Sequence, residues 1–345
     1  MEKAVISALL KICEQLNCGK GELVKMVRSE LQKEHLVTEN LSYLSEDLES
    51  WWSHQEQQAN IHFLKLKLAN FFLEHLKQDH LNLLGVLGEN HHHIAAVCFT
   101  NIFNKDYPKL ALVVHEALSE LFHLTDIKYP YEDHKSLYLM PDGVNYKDWG
   151  NGYGKISPHS DDLYEDISTD YLSLTVCRDN TNTPTSCFFL KDIFSGFSDD
   201  DMAYLLEMEV KLISGKNVKG RTIEKTKKLI EFDSFYGIIA NLDFRIDDIV
   251  GERMRSFTNR GNQLLKKLRG NIANACFEES VAKVGTFFIV ANHKVLHSRG
   301  TMNININNLN LASSQNSPRL LFRSKGNRKS NTFNEITKIS EEYIV

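Results

Sequence analysis

At 345 residues the chain is long enough for about two domains, or for one large domain with an added segment. Its 42% hydrophobic and 25% charged residues exclude a largely disordered, collagen-like or membrane-embedded protein. A net charge of −5 offers no global basic field to nucleic acid or anionic lipid, and no apolar run approaches the ~20 residues that span a bilayer.

The opening stretch MEKAVISALLKICEQ carries Glu2, Lys3 and Lys11 too close to its apolar residues for a signal segment, so the chain reads as cytoplasmic. Six cysteines, Cys13, Cys18, Cys98, Cys177, Cys187 and Cys276, are scattered without a CxxC pair and are expected to be buried, reduced thiols.

Along the chain, apolar residues recur three or four apart from Lys3 to Leu31, with Gly19 interrupting, which predicts two short amphipathic helices. A broader apolar face from Ser45 to His80 predicts stronger helix, with Ser45, Glu46 and Asp47 at its positive end. Residues 1–80 therefore form a helical N-terminal segment packed on a core beginning near residue 81. The character then changes. LNLLGVLG, HHHIAAVCFTNIF, SLYLMP, YLSLTVCR and SCFFL carry strand signals, as do KLISG, GIIANLDFRID and KVGTFFIVANHKVLHS. Helices are expected at Tyr107 to Leu124, Asp199 to Glu209 and Glu252 to Cys276. This order argues for an α+β fold built on an antiparallel sandwich, with an Asn-rich, low-charge insertion at 301–317.

Three segments carry chemistry. In SPHSDDLYED, an extended start places His159 and Asp161 on one face with Ser160 on the other, a pair able to chelate one metal ion. In FFIVANHKVLHSRG, an apolar strand leads to His297, 138 residues after His159. Two histidines and one carboxylate make a facial triad with three open positions, suited to non-haem Fe(II) oxygen chemistry. In SPRLLFR, Arg319 and Arg323 lie four apart, and arginine forks match carboxylates. Each signal alone is common; their order is the informative feature.

That order resembles the Fe(II)/2-oxoglutarate-dependent oxygenases, specifically the clavaminate synthase-like, taurine dioxygenase-related branch that includes amino-acid hydroxylases. The likeness extends to DYLSLTVCRDNTNTPTS, FRIDDIVG and VGTFFIVANHKVLHSRG, and covers about residues 80 to 330. It implies a double-stranded β-helix (jelly-roll) core with flanking helices, iron ligands His159, Asp161 and His297, and 2-oxoglutarate and O2 as cosubstrates. It further implies that Arg319 holds the distal carboxylate of 2-oxoglutarate, with a hydroxyl from Thr185 or Ser186, Thr185 ranked first. Arg323 matches the family arginine for the substrate's α-carboxylate. Here 22 residues separate His297 from Arg319, more than is usual in the family, Ser298 stands where Gly is usual, and Ala291 where Asp is frequent. Related halogenases have a small residue at the carboxylate position; Asp161 fills it, which implies hydroxylation.

Asp247 and Asp248 lie where arginine-hydroxylating relatives present acidic groups, so a free cationic amino acid of lysine or arginine type is the expected substrate. The bland reading of the pair is a solvated loop. A carrier-bound or peptidyl amino acid docked by the N-terminal helices is one alternative, and an inactive barrel with a binding role is another. Nucleic acid and membrane partners are not expected, and oligomeric state is open. Asp162, Glu165 and Asp166 read as a solvated charge run, Lys325, Arg328 and Lys329 as a solvated tail, Trp51 and Trp52 as packing residues, and His91–His93 as a strand segment with accidental metal affinity.

Overall fold

A computed structural model describes residues 20–58, 60–122, 124–126, 137–141, 152–165, 169–215, 222–233, 235–274, 278–281, 283–304 and 317–328. The first helix of the expected N-terminal pair, residues 305–316 of the Asn-rich insertion, Asp166, Lys329 and three of the cysteines lie outside them. The N-terminal third comprises α1 (Lys20–Leu31), β1 (His35–Asn40), α2 (Ser42–Gln55), α3 (Ile61–His75) and α4 (Gln78–Val86). The middle comprises β2 (Ile94–Thr100), α5 (Pro108–Leu121), β3 (Leu124–Asp126), β4 (Leu137–Leu139), β5 (Ile156–His159), β6 (Tyr171–Asp179) and β7 (Pro184–Phe189). There follow α6 (Leu190–Ile193), α7 (Asp199–Glu207), β8 (Glu209–Ile213), β9 (Glu224–Lys228), β10 (Ile230–Asp233), β11 (Gly237–Ala240), β12 (Ile246–Asp247), β13 (Gly251–Glu252) and β14 (Met254–Ser256). The chain closes with α8 (Asn259–Asn274), β15 (Glu278–Val281), β16 (Thr286–Ala291), β17 (Val295–Arg299) and β18 (Arg319–Arg328).

Two sheets organise the mixed α/β core: a seven-stranded sheet ordered β1-β2-β16-β6-β18-β3 with β4 also on β18, and a four-stranded sheet ordered β15-β7-β17-β5. Strands consecutive in sequence change sheet, β6 to β7 and β16 to β17. Strand alternation then sorts side chains. Leu172 and Leu174 of β6 and Phe288 and Val290 of β16 meet Cys187 and Phe189 of β7 and Val295 of β17 in one buried cluster, so the two sheets face each other. The outer face of the larger sheet, with Tyr171, Cys177, Phe287, Ile289, Leu320 and Phe322, packs on α2, α3, α4 and α5. In α5, Leu110, Val113, Val114, Ala117, Leu118 and Leu121 recur at helical spacing and are all buried. Each large aliphatic side chain so placed contributes about 1.5–3 kcal/mol. A second apolar cluster joins α1, α6, α7 and α8 to β8, β11 and β14.

The structure departs from the sequence expectations at identifiable places. β1 is a parallel edge strand on β2, so the N-terminal third is not a purely helical layer. LNLLGVLG is helix, not strand, for most of its length. His80, Leu83 and Leu84 fall on one buried face of α4, and a short apolar run does not distinguish the two by pattern alone. Ser45 sits inside α2, donating to the Ser42 carbonyl at 2.9 Å, because the helix begins three residues earlier. The segment 252–258 forms β13, β14 and a cap rather than helix: the Thr258 hydroxyl accepts from the Gly261 amide at 3.0 Å and starts α8. His91–His93 form a turn, with His93 at φ 55°. Cys98, Cys177 and Cys187 are buried thiols outside any disulfide, as expected, and Trp52 is buried in the core with Trp51 packed against it.

Candidate metal centre

Pairing between strands brings His159 and His297 together. The two residues are register partners across β5 and β17, and Cys187 of β7 faces His297 from the other side. Beyond the end of β5 the chain is pinned: the Ser160 amide donates to the Leu242 carbonyl at 2.9 Å, and the Phe244 amide donates to the Pro158 carbonyl at 3.1 Å. Asp161 is held by the turn that joins β16 to β17. The Asn292 side-chain oxygen accepts from the Asp161 amide at 2.8 Å, and its Nδ2 donates to the carbonyls of Asp161 at 3.0 Å and Thr169 at 2.8 Å. KVGTFFIVANHKVLHS is thus two strands in different sheets, and the residue that breaks it fixes a ligand 131 positions away. Asp162 adopts φ 57°, a left-handed conformation that a non-glycine residue keeps only when its surroundings enforce it. They do so here: Thr169 Oγ1 donates to Asp162 at 2.6 Å and Lys325 Nζ at 3.0 Å.

His159, Asp161 and His297 are all buried, and one ligand atom from each lies within 4.8 Å of the others. His159 Nε2 stands 3.3 Å from Asp161 Oδ1, His297 Nε2 stands 3.7 Å from Asp161 Oδ2, and the two imidazole centroids are 4.3 Å apart. Donors about 2.1 Å from one ion at right angles lie about 3 Å apart, so this group closes on a metal with small side-chain movements. His159 Nδ1 lies 2.8 Å from the Ser157 carbonyl, which can only accept, so Nδ1 donates there and Nε2 is the nitrogen turned toward Asp161. Burial, aided by His159, Arg245 and Arg323, lowers the His297 pKa to about 3, leaving that imidazole neutral. Burial opposes ionisation of Asp161, but the Lys325 ammonium and a hydrogen bond from His159 outweigh it and hold the carboxyl well below the usual carboxylate range. Two imidazoles and one carboxylate, all buried, fit a divalent transition metal.

Around the triad is a set of buried charges that sequence reasoning missed. Arg245 makes a two-pronged contact with Asp243, Nη2 to Oδ2 at 2.7 Å and Nε to Oδ1 at 2.9 Å, while its Nη1 lies 3.7 Å from Asp161 Oδ1. Asp243 is backbone-bridged to His159. Arg299, two residues beyond His297, is buried and donates to the Gly154 carbonyl at 2.9 Å. Asp162 and Lys325 correct the solvated readings given to them, since both are buried and paired. FRID and LHSRG carried the sequence signal for Arg245 and Arg299: an arginine bordering an apolar run.

The expected organic-ligand residues divide. Arg319, Arg323 and Lys325 share the interior face of β18, because Leu320 and Phe322 point into the helix-packed core. Arg323 is close enough to His297 to affect its charge, and Arg319 lies farther along the strand, its Nε 2.9 Å from Asp179 Oδ2. Thr185 shares the interior face of β7 with Cys187 and Phe189 and pairs with Arg299, whereas Ser186 belongs to the opposite face. Asp247 accepts from the Ile249 and Val250 amides at 2.8 and 3.2 Å and lies 3.4 Å from Arg253 Nη2; Asp248 is exposed.

Among solved structures, the chain is similar to the non-heme iron oxygenase OrfP in complex with Fe, succinate and (3S)-hydroxy-L-Arg, with a TM-score of 0.63 at 13% identity over 86% of this chain and 94% of that one. The fold is that of the non-heme iron oxygenases. OrfP with Fe and alpha-ketoglutaric acid gives a TM-score of 0.61 at 13% identity, covering 85% of this chain and 94% of that one. Asparagine oxygenase in complex with Fe(II), 2S,3S-3-hydroxyasparagine and succinate gives 0.59 at 11% identity, covering 85% and 93%. No protein-family model and no curated protein matches the chain. Within this oxygenase fold, the described residues include no helix long and apolar enough to cross a membrane.

Proposed function

We propose that the chain is an Fe(II)- and 2-oxoglutarate-dependent hydroxylase of a free amino acid, clavaminate synthase-like, with its two facing sheets forming a double-stranded β-helix. The observation that carries this reading is the buried His159–Asp161–His297 group, with the Nε2 atoms of both imidazoles beside one carboxylate. Iron held there supplies oxygen activation: one atom of O2 enters a substrate C–H bond and the other enters succinate, as 2-oxoglutarate loses CO2. Asp161 occupies the position that halogenation would leave open, which favours hydroxylation.

The protein's own residues bind, orient and exclude water. Arg319 receives the distal carboxylate of 2-oxoglutarate and Thr185 donates its hydroxyl to the same cosubstrate. Arg323, nearer His297, receives the substrate's α-carboxylate, since a guanidinium fork matches a planar carboxylate. The apolar cluster between the sheets, with Leu174, Phe189 and Phe288, keeps bulk water from the reacting C–H. Both neighbouring enzymes named above were crystallised with hydroxylated amino acids, one arginine-derived and one asparagine-derived. The cationic reading of the substrate rests on the pair at 247–248. Asp247 is half-buried, accepting from two amides beside Arg253, and Asp248 is exposed.

Anaerobic addition of Fe(II) and then 2-oxoglutarate to the metal-free chain tests the proposal. The expected result is a visible charge-transfer band that shifts with one amino acid among arginine, lysine and asparagine, followed by stoichiometric succinate once oxygen is admitted. Iron binding without a band would overturn it and favour the inactive barrel.

A further inference from the structure

We propose that Asp179 is a positioning residue for the cosubstrate: it holds the Nε edge of Arg319 so that the terminal nitrogens of the guanidinium are aimed at the distal carboxylate of 2-oxoglutarate. This rests on the reading of Arg319 given above. Arg319 and Asp179 are register partners at the ends of β18 and β6, and their side chains are 2% and 1% exposed. Arg319 Nε donates to Asp179 Oδ2 at 2.9 Å. The other oxygen, Oδ1, accepts from the Thr181 amide at 2.9 Å and from the Thr181 hydroxyl at 2.5 Å, so the carboxylate cannot rotate away. The Thr181 hydroxyl in turn lies 2.6 Å from that of Thr183, two residues before Thr185.

Both backbones are pinned as well. The Asn180 amide donates to the Pro318 carbonyl at 2.8 Å, and the Ser317 hydroxyl donates to the Arg319 carbonyl at 2.6 Å. Among the described residues, the hydrogen bond of the Arg319 guanidinium is made by Nε, which leaves the Nη1–Nη2 edge for a ligand. A guanidinium fixed along one edge offers the other as a planar, two-pronged site for a carboxylate. A buried guanidinium also needs a counter-charge before its ligand arrives, and Asp179 provides it. The run CRDNTNTPTS thus acts as a unit: Asp179 sets the arginine, and Thr185 supplies the hydroxyl.

The test compares anaerobic dissociation constants of the Fe(II)-loaded full chain for 2-oxoglutarate and for 2-oxobutyrate, which carries the same keto-acid chelating group and no distal carboxylate. Asp179→Ser keeps a hydroxyl for the Thr181 amide but is too short to reach Arg319. It is expected to weaken 2-oxoglutarate about tenfold, the loss of one charge-assisted contact's worth of orientation, and to leave 2-oxobutyrate unchanged. Asp179→Asn turns its oxygen toward Nε only by setting its NH2 against the Thr181 amide, and is expected to bind 2-oxoglutarate more tightly than the Ser variant and less tightly than the parent chain. Equal weakening of both ligands, or of neither, would overturn the proposal, and so would an Asn variant as impaired as the Ser one. Arg319→Met separates this from the underlying reading. If Met leaves the preference for 2-oxoglutarate intact, the assignment of Arg319 falls; if Met removes the preference and Asp179→Ser does not, only the role of Asp179 falls.

Discussion

Two buried histidines, one outside the pair of facing sheets and one between them, are alike by burial and differ in what surrounds them. His115 on α5 lies between helix and larger sheet, its Nδ1 2.9 Å from Thr175 Oγ1 and its Nε2 2.8 Å from Ser324 Oγ. His297 on β17 lies between the sheets, with Nε2 directed at Asp161 and Nδ1 buried without a partner among the described residues. Burial brings both pKa values down to about 3. What separates them is satisfaction. A histidine with both nitrogens hydrogen-bonded to hydroxyls is complete as a structural residue, whereas one beside a second imidazole and an ionised carboxylate belongs to a donor set able to hold a metal ion.

The sharpest way to break this contrast is to remove each ring. His297→Ala is expected to cut iron-dependent succinate release by more than about a thousandfold while the metal-free protein keeps its fold, since a metal ligand is lost. Measurable turnover with full iron loading would end the triad assignment. His115→Ala is expected to do the reverse: a loss of about 2–3 kcal/mol in denaturant unfolding, because two buried hydroxyls lose their partner and a cavity opens, with turnover per folded molecule within about twofold. Between these extremes lies Asn292→Ala, which frees the Asp161 backbone without touching a donor atom. An increase of about tenfold in the iron dissociation constant, read by titration, would match the effect of removing an outer support of a metal ligand. An unchanged constant would show that the ligand needs no such clamp.

The smallest effect is on pH dependence. The His115 pKa is lowered from its ordinary 6.5 to about 3 in the folded state, so the unfolded chain takes up a proton at higher pH than the folded one. Stability from the neutral ring is present above pH 6.5 and is lost progressively as pH falls toward 3. The stability gap between the parent chain and His115→Ala therefore narrows by about 1.4 kcal/mol per pH unit between about pH 6 and 4.5. A gap that stays constant or widens would contradict a buried neutral imidazole.

Much of the candidate site was legible in the sequence because its chemistry is local. An extended HxD segment sets two ligands on one face, an apolar strand delivers His297, and period-two spacing puts Arg319 and Arg323 on the same side of β18. The helical period of α5 and the capping signals of α7 likewise lie within a few residues of one another, where Ser198 accepts from the Asp201 amide at 3.1 Å. Charge alone misled where a buried partner was distant. Lys325 and Asp162, 163 positions apart, each read as solvated and neutralise each other inside the protein.

Residue type and spacing put His159 with Asp161 and Arg319 with Arg323 on common faces and marked the apolar faces, since side-chain direction follows from backbone period, and the family resemblance added His297 as their partner. Only the tertiary structure decided that β1 joins the larger sheet, that Asn292 switches the chain between sheets and clamps Asp161, that Arg245 is tied to Asp243, and that Arg319 is held by Asp179. Those pairings depend on which strands become neighbours and in what register. That choice is made by packing across the whole core, where a charge tolerates burial only once its partner has been brought beside it.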